Sequence, residues 1–471
     1  MKAELGLFLG LVVLCAFCPL EAHCEMTLDE AIAIALENNF AILSAHEAVA
    51  GTEHQRRSAF TDFLPKLKAE GAYTHLNETP TVSQGPTPPI PVYMNPSNPW
   101  GPPPNPTQPI GYTPTIPATT RAVSDKDSWT LRGSLIQPVF TGGALINRYR
   151  LAKIGVETAR AALERLKQEV SLGVVKAYFG VLTAIELKKV ADQAVRLLEN
   201  QRDVAQEFYN VGMIPKNDLL RTEVQLAQRV REQTVAANNI ELAKSQFNLV
   251  LQRPIEEPVE LVDILAYEPI TVDLEESIRI AHANRPELKE ASLRIEARER
   301  QVDLAKSAYF PQVQLTLSAF KNEGTSTSTL EEGWSFMAGA SWNIFEWGKT
   351  REDVSAARSQ LRQEELARLQ LMDQIALEVK EAFLALKVAE RNIFVAKKAV
   401  EQGEENFRMA QERYKEQVGT LTDVLDSQTL LTQAQTDYYN ALSNYNVAKA
   451  ALNKAMGFPV HGPSRAPSPN P

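Results

Sequence analysis

Toward the C-terminus apolar residues recur every seven positions. Val424, Leu431, Tyr438, Tyr445 and Leu452 form one row, and Ser427, Ala434, Ala441, Ala448 and Ala455 form a second, three positions on. This is an a/d seam, and its small d residues let helices approach closely. A strict seven-residue period implies left-handed supercoiling. Earlier in the chain Leu219, Leu226, Gln233, Ile240 and Phe247 make a similar, less regular row. No proline interrupts Ala144 to Ile214 or Lys349 to Met456. Both stretches are therefore predicted to be very long helices, and about 70 helical residues reach roughly 100 Å at 1.5 Å each.

Elsewhere the period drops to two, the signature of strands with unlike faces. In "GWSFMAGASWNIF" (333–345), Trp334, Phe336, Ala338, Ala340, Trp342 and Ile344 share one face, opposite Ser335, Gly339, Ser341 and Asn343. "SWTLRGSLIQPVF" (128–140) alternates likewise, and "KLKAEGAY" and "QVQLTLSA" read as partner strands. A soluble hairpin with one buried face fits such a segment in isolation. Strands of about ten residues with aromatics near their ends also suit the height and girdles of an outer-membrane barrel.

These elements occur twice. "LDEAIAIALENN" (28–39) returns as "LEESIRIAHANR" (274–285), an offset of 274 − 28 = 246. From Trp129 onward the offset becomes 334 − 129 = 205, and it aligns "FYNVGMIPKNDLLRTE" (208–223) with "RYKEQVGTLTDVLDSQ" (413–428). The first copy therefore holds extra chain, visible in 79–117, which carries 14 of the 28 prolines. That composition reads as exposed, polyproline-like loop. The expected division is a signal segment (1–24), a first repeat (25–254), a linker (255–271), a second repeat (272–459) and a disordered tail (460–471). The first repeat has a loop at 77–127 and a helical hairpin at 143–253; the second has its hairpin at 348–456.

Lys2 followed by "LGLFLGLVVLCAFCPL" is the pattern of a secretory signal. Lipidation of Cys24 is an alternative that "EAH" before it makes poor. Past this segment no apolar run of spanning length, and so no transmembrane helix, is expected. All three cysteines lie at 15, 18 and 24, so the rest of the chain has no thiol chemistry. Six scattered histidines show no metal-site spacing, and the cofactor loops and nucleophile motifs of common enzymes are missing. Neither an enzyme nor a bound cofactor or metal is expected. The net charge of −9 argues against nucleic acid.

Four membrane strands cannot close a barrel, and an open edge in lipid leaves backbone groups unpaired at several kcal/mol each. The sequence thus predicts closure by oligomerisation: two copies give eight strands with an interior filled by side chains, and three give twelve, which begins to leave a lumen. The repeat, "LDEAIAIALENN", "FLP", "QPVFTGG" and "GTLTDVLDSQ" together resemble the TolC-type outer membrane efflux proteins over almost the whole chain. The resemblance implies a mixed α and β fold: a homotrimeric transmembrane β-barrel, four strands per chain, continued by an α-helical coiled-coil barrel. It also implies a passive exit duct through outer membrane lipid, docked to a periplasmic adaptor and an inner-membrane pump. On that likeness Asp218 and Tyr414 match a contact between hairpins, and Asp423 and Asp426 match an acidic constriction. Gly212, Met213, Gly419 and Thr420 lie at the bends where an adaptor docks. On the same likeness, Gly419 stands at the position of a gate-closing arginine in the family. For Asp218 and Asp423 the competing role is helix capping. The rival function is a pore-free periplasmic adaptor or structural coiled coil.

Overall fold

The computed structural model describes residues 25–93, 109, 111–122, 125–324 and 331–460. The expected signal segment with Cys24, residues 461–471 of the expected tail and 94–108 of the proline-rich loop lie outside the described residues. In chain order the elements are α1 (Leu28–Asn38), α2 (Phe40–Thr61), β1 (Lys66–His75), β2 (Thr81–Gln84), β3 (Pro91–Val92), β4 (Gly111–Tyr112), β5 (Thr119–Ala122) and β6 (Asp127–Phe140). There follow α3 (Ala144–Asn210), α4 (Lys216–Leu251), α5 (Leu274–Asn284), α6 (Pro286–Lys306), β7 (Gln312–Gly324), β8 (Glu331–Ser341), α7 (Lys349–Lys415) and α8 (Leu421–Ala455).

The chain divides into two compact units. One comprises residues up to Thr52, Ile154–Glu296 and from Arg362 onward; the other comprises Glu53–Lys153 and Ala297–Leu361. The second unit contains an antiparallel sheet in the order β1-β6-β7-β8. Opposed residues of an antiparallel ladder share a face. One face therefore collects Leu67, Tyr73, Trp129, Leu131, Leu317, Trp334 and Phe336, all exposed. The other collects Lys68, Glu70, Arg132, Ser134, Ser318, Ser335 and Gly339, with Ser134 Oγ and Ser318 Oγ 3.2 Å apart. β1 and β8 are the edges, and β1 is exposed along its whole length.

Two expectations fail here. The proline-rich loop is not wholly irregular: β2 pairs with β5 and β3 with β4, two short ladders outside the main sheet. Pro91 is tolerated because it opens its strand, where a missing N–H costs least. The last strand ends at Ser341, so Trp342 to Phe345 are not strand, although β6 continues to Phe140 beside β7. A strand's end needs a neighbour to pair with, and β8 has one on a single side.

In the first unit the long helices match expectation, and α3 and α7 are 67 residues each. The α8 seam is buried at Val424, Leu431, Tyr445 and Leu452. α1 begins with a capping box of Thr27 and Glu30, and Asp273 caps α5. The core around α1 unites Leu28, Ala31 and Ala35 with Val174, Tyr178 and Phe179 of α3 and Phe247 and Leu251 of α4. Tyr178 Oη donates to the carbonyls of Met26 (3.0 Å) and Val262 (2.8 Å). Burial pushes this phenol up to about 12. Contrary to expectation, α3 contains an 18-residue stretch of mean hydropathy 1.6, apolar and long enough to span a bilayer. A core helix passes the same test, and α3 supplies Val174, Val175, Val181 and Leu182 to this core.

The backbone punctuation is periodic. Every described residue with positive φ has a counterpart 205 positions away: Gly142 and Trp347, Gly143 and Gly348, Gly212 and Gln417, Gln252 and Gly457.

Candidate functional site

The two helix bends lie in one unit, and their geometry follows from local chemistry. At the first, Gly212 (φ +81°) ends α3, and the N–H of Met213 donates back to the carbonyl of Phe208 at 2.8 Å. At the second, Gln417 (φ +62°) ends α7, and Val418 N–H donates to the Arg413 carbonyl at 2.9 Å. Both are six-residue C-caps that use a left-handed residue to satisfy orphan carbonyls.

Gly419 is not the left-handed residue of its bend; Gln417 is. A Cβ at Gly419 would lie 3.0 Å from Arg413 Cβ and 3.2 Å from the Arg413 carbonyl carbon. Close approach of two chain segments holds this glycine, whereas Gly212 has open space and is needed for its φ. Around both bends Val211, Met213 and Val418 are exposed.

The restart of each helix separates the two paired aspartates. Thr420 caps α8: its hydroxyl accepts from Asp423 N–H, and the Asp423 carboxylate accepts from Thr420 N–H at 3.0 Å. That backbone bond, then the Thr420 hydroxyl, holds the Asp423 carboxyl below its ordinary range. In α4 the matching cap is Pro215, which makes no side-chain cap bond. Asp218 thus occupies the first helical turn without a capping box. Asp426 is exposed on α8.

Tyr414 lies buried in a cluster with Phe407, Leu421, Val424 and Leu425, its ring 5.7 Å from that of Phe208. Among the described residues its hydroxyl has no hydrogen-bond partner. Burial raises the phenol's pKa, and the negative charge of Asp218 raises it further. Asp218 and Tyr414 are therefore brought near each other without a hydrogen bond between them. Asp423 is turned to its own helix terminus.

Three bonds between hairpins were not legible in the sequence. Arg221 Nη1 donates to Thr422 Oγ1 (3.0 Å), Arg229 Nη2 to Thr429 Oγ1 (2.9 Å), and buried Gln428 Nε2 to the Ala194 carbonyl (2.9 Å). The only available signal was Arg221 standing 205 positions before Asp426, a charge reversal between the copies. Among the described residues no three His, Cys, Asp or Glu side chains are placed to hold a metal ion.

A model of the outer membrane efflux protein family matches residues 31–248 and 277–458. Nodulation protein T of Rhizobium leguminosarum bv. trifolii is 21% identical over 65% of this chain and 68% of its own length. Outer membrane protein TolC of Escherichia coli K12 is 22% identical over 62% of each chain. Among solved structures, the Campylobacter jejuni CmeC outer membrane channel superposes with a TM-score of 0.71 at 17% identity, covering 92% of this chain and 87% of that one. VceC of Vibrio cholerae gives 0.69 at 16% identity, covering 92% and 97%.

Proposed function

The chain belongs to the outer membrane efflux protein family, and from that premise we propose that it is a passive exit duct of a tripartite system. Three copies close one twelve-stranded barrel in the outer membrane, and their helical hairpins continue it as a tunnel through the periplasm. The observation that carries this reading is the sheet: one face rich in exposed apolar side chains, an opposite face richer in polar ones, and two open edges. An apolar band facing lipid and a polar lumen are what a barrel strand needs, and closure is what its edges need. The helices support assembly too. Val235, Leu242 and Leu249 on α4 and Leu377, Leu384, Val388 and Val395 on α7 are each at least half exposed, at coiled-coil spacing. Such stripes bury themselves against other copies.

The matched punctuation at 205 positions supports an internal duplication, with repeats at 25–254 and 272–459. On this reading the bends are the far periplasmic tips of the tunnel. Exposed Val211, Met213 and Val418 beside Gly212, Gly419 and Thr420 offer a periplasmic adaptor an apolar docking end, through which an inner-membrane pump delivers its load. Asp426, with Asp423 beside it, rings the mouth in three copies, where like charges attract multivalent cations. Asp218 on one hairpin lies near Tyr414 on the other, and its charge acts on that phenol.

The test has two parts. Protein extracted from outer membranes in mild detergent has the mass of three chains; a folded monomer there refutes the barrel. In planar bilayers Asp423→Asn with Asp426→Asn weakens cation preference and block by a trivalent cation on the tip side. Unchanged selectivity and block show these aspartates to be cap and surface.

A further inference from the structure

At the base of the sheet the chain opens a cavity that an exit duct does not need. β6 ends at Phe140, and α3 starts four residues later at Ala144. Between them Gly142 (φ +60°) and Gly143 (φ +86°) carry the turn. A Cβ at Gly142 would lie 2.5 Å from the Ser307 carbonyl oxygen, so only glycine lets the start of α3 come this close to the end of α6. The two helix ends flank a cavity of about 350 Å³, lined by Asn147 and Arg150 of α3 and by Asp303 and Lys306 of α6. Clefts that hold ligands start at about 300 Å³.

The lining suits an anion. The first turns of α3 face the cavity, and a helix N-terminus is the positive end of its dipole. Asn147 is only 8% exposed, and its side chain has no hydrogen-bond partner among the described residues. A buried carboxamide left in that state costs free energy, and its NH₂ offers two donors to an incoming acceptor. A Cβ at Gly143 would lie 3.8 Å from Asn147 Nδ2, so glycine there leaves the amide uncovered. Arg150 is exposed and makes no ion pair among the described residues. Lys306 Nζ pairs with Asp303 Oδ1 at 2.9 Å, and the same carboxylate takes Arg300 Nη1 at 3.3 Å. Three cations stand against one carboxylate. The turn itself does not require this set. The second copy turns from strand to helix with Trp347, Glu352 and Ser355 in place of Gly142, Asn147 and Arg150, and with Arg57 and Phe60 in place of Asp303 and Lys306.

Apolar side chains lead from the cavity to the sheet. Ile146 and Phe310 line it and are each about half exposed. Two residues past Phe310 β7 begins, and its Val313 faces Phe140 on the apolar side of the sheet. Resting on the duct reading above, we propose that this cavity binds the phosphate of a glycerophospholipid in the inner leaflet of the outer membrane. Arg150, Lys306 and the Asn147 amide donate to the phosphate oxygens, and the guanidinium matches them two at a time. The acyl chains leave past Ile146, Phe310 and Phe140. A free phosphate ion shares the polar chemistry but has no use for the apolar rim.

Native mass spectrometry of the full-length assembly in a non-ionic maltoside detergent tests the site. Phosphatidylglycerol is expected to be retained at one molecule per chain, and diacylglycerol, which lacks the phosphate, is not. Arg150→Ser and Lys306→Gln each weaken binding by about tenfold, the loss of one charge-assisted hydrogen bond. Arg351→Ser, which removes a charge from the second copy's turn, leaves binding unchanged. Asp303→Asn tightens it by removing a competing carboxylate, and it decides the matter should Arg150→Ser fail to assemble. Equal retention of diacylglycerol, no loss in Arg150→Ser and Lys306→Gln, or no gain in Asp303→Asn overturns the site. Displacement of the lipid by an equal concentration of inorganic phosphate shows a free-anion site and overturns the lipid. A particle of three chains that retains no phospholipid overturns this inference alone, whereas a monomeric mass refutes the duct reading.

Discussion

Replacing Tyr414 by Phe removes only the phenol oxygen, which is buried and has no hydrogen-bond partner among the described residues. Leaving such a group unsatisfied costs about 1–3 kcal/mol. The ring stays against Phe208 and the Leu421–Val424 cluster, since Tyr414 is 5% exposed. The substitution is therefore expected to stabilise the tips by about 1 kcal/mol, the lower end of that range. Amide hydrogen exchange in the last turn of α7 should slow by about fivefold. A pH series adds an independent check. Burial, and then the Asp218 charge, raise this phenol above its ordinary value of 10.0. The folded tip favours the neutral form, so its stability is complete below pH 10 and is lost as pH rises through the raised value. Tyr414→Phe abolishes that alkaline loosening. Faster exchange in the variant at neutral pH refutes the reasoning: the hydroxyl then has a partner in the assembled protein.

Gln417→Gly relieves a left-handed backbone and stabilises the second bend by about 1 kcal/mol, whereas Gly212→Ala imposes the same strain on the first; opposite shifts in thermal melting check both. Thr420→Ala loses the cap of α8 at about 0.5–2 kcal/mol, seen as faster exchange in its first turn. Because the Asp423 carboxyl is held below 3.8, its contribution is present above that value and is lost as pH falls through the lowered one; Asp423→Asn removes this acid sensitivity. Shortening 79–117 to the length of 321–333 leaves three chains per particle, since β2 to β5 contribute nothing to the main sheet; loss of assembly shows the loop to be structural.

The periodic features were legible in the sequence because they are local or repeated. Seven-residue spacing placed Val424, Leu431, Tyr445 and Leu452 in a buried row, and alternation separated Trp334 and Phe336 from Ser335 and Gly339. Such patterns follow from 3.6 and 2 residues per turn and need no knowledge of distant contacts. Duplication helped further, since two copies of one pattern expose the insertion between them. What the sequence left open depends on which of several equivalent groups wins a partner. Asp218 and Asp423 align at an offset of 205, yet only Asp423 closes a capping box, because Thr420 offers a hydroxyl and a donor where Pro215 offers neither. Gly212 and Gly419 look alike as letters. One is needed for its backbone angle and the other for the nearness of Arg413. The bonds of Arg221, Arg229 and Gln428 join residues about 200 or more positions apart, and no local rule ranks such donors against their neighbours. The end of β8 is of the same kind: alternation runs on to Ile344, but a strand stops where its hydrogen-bonding partner stops.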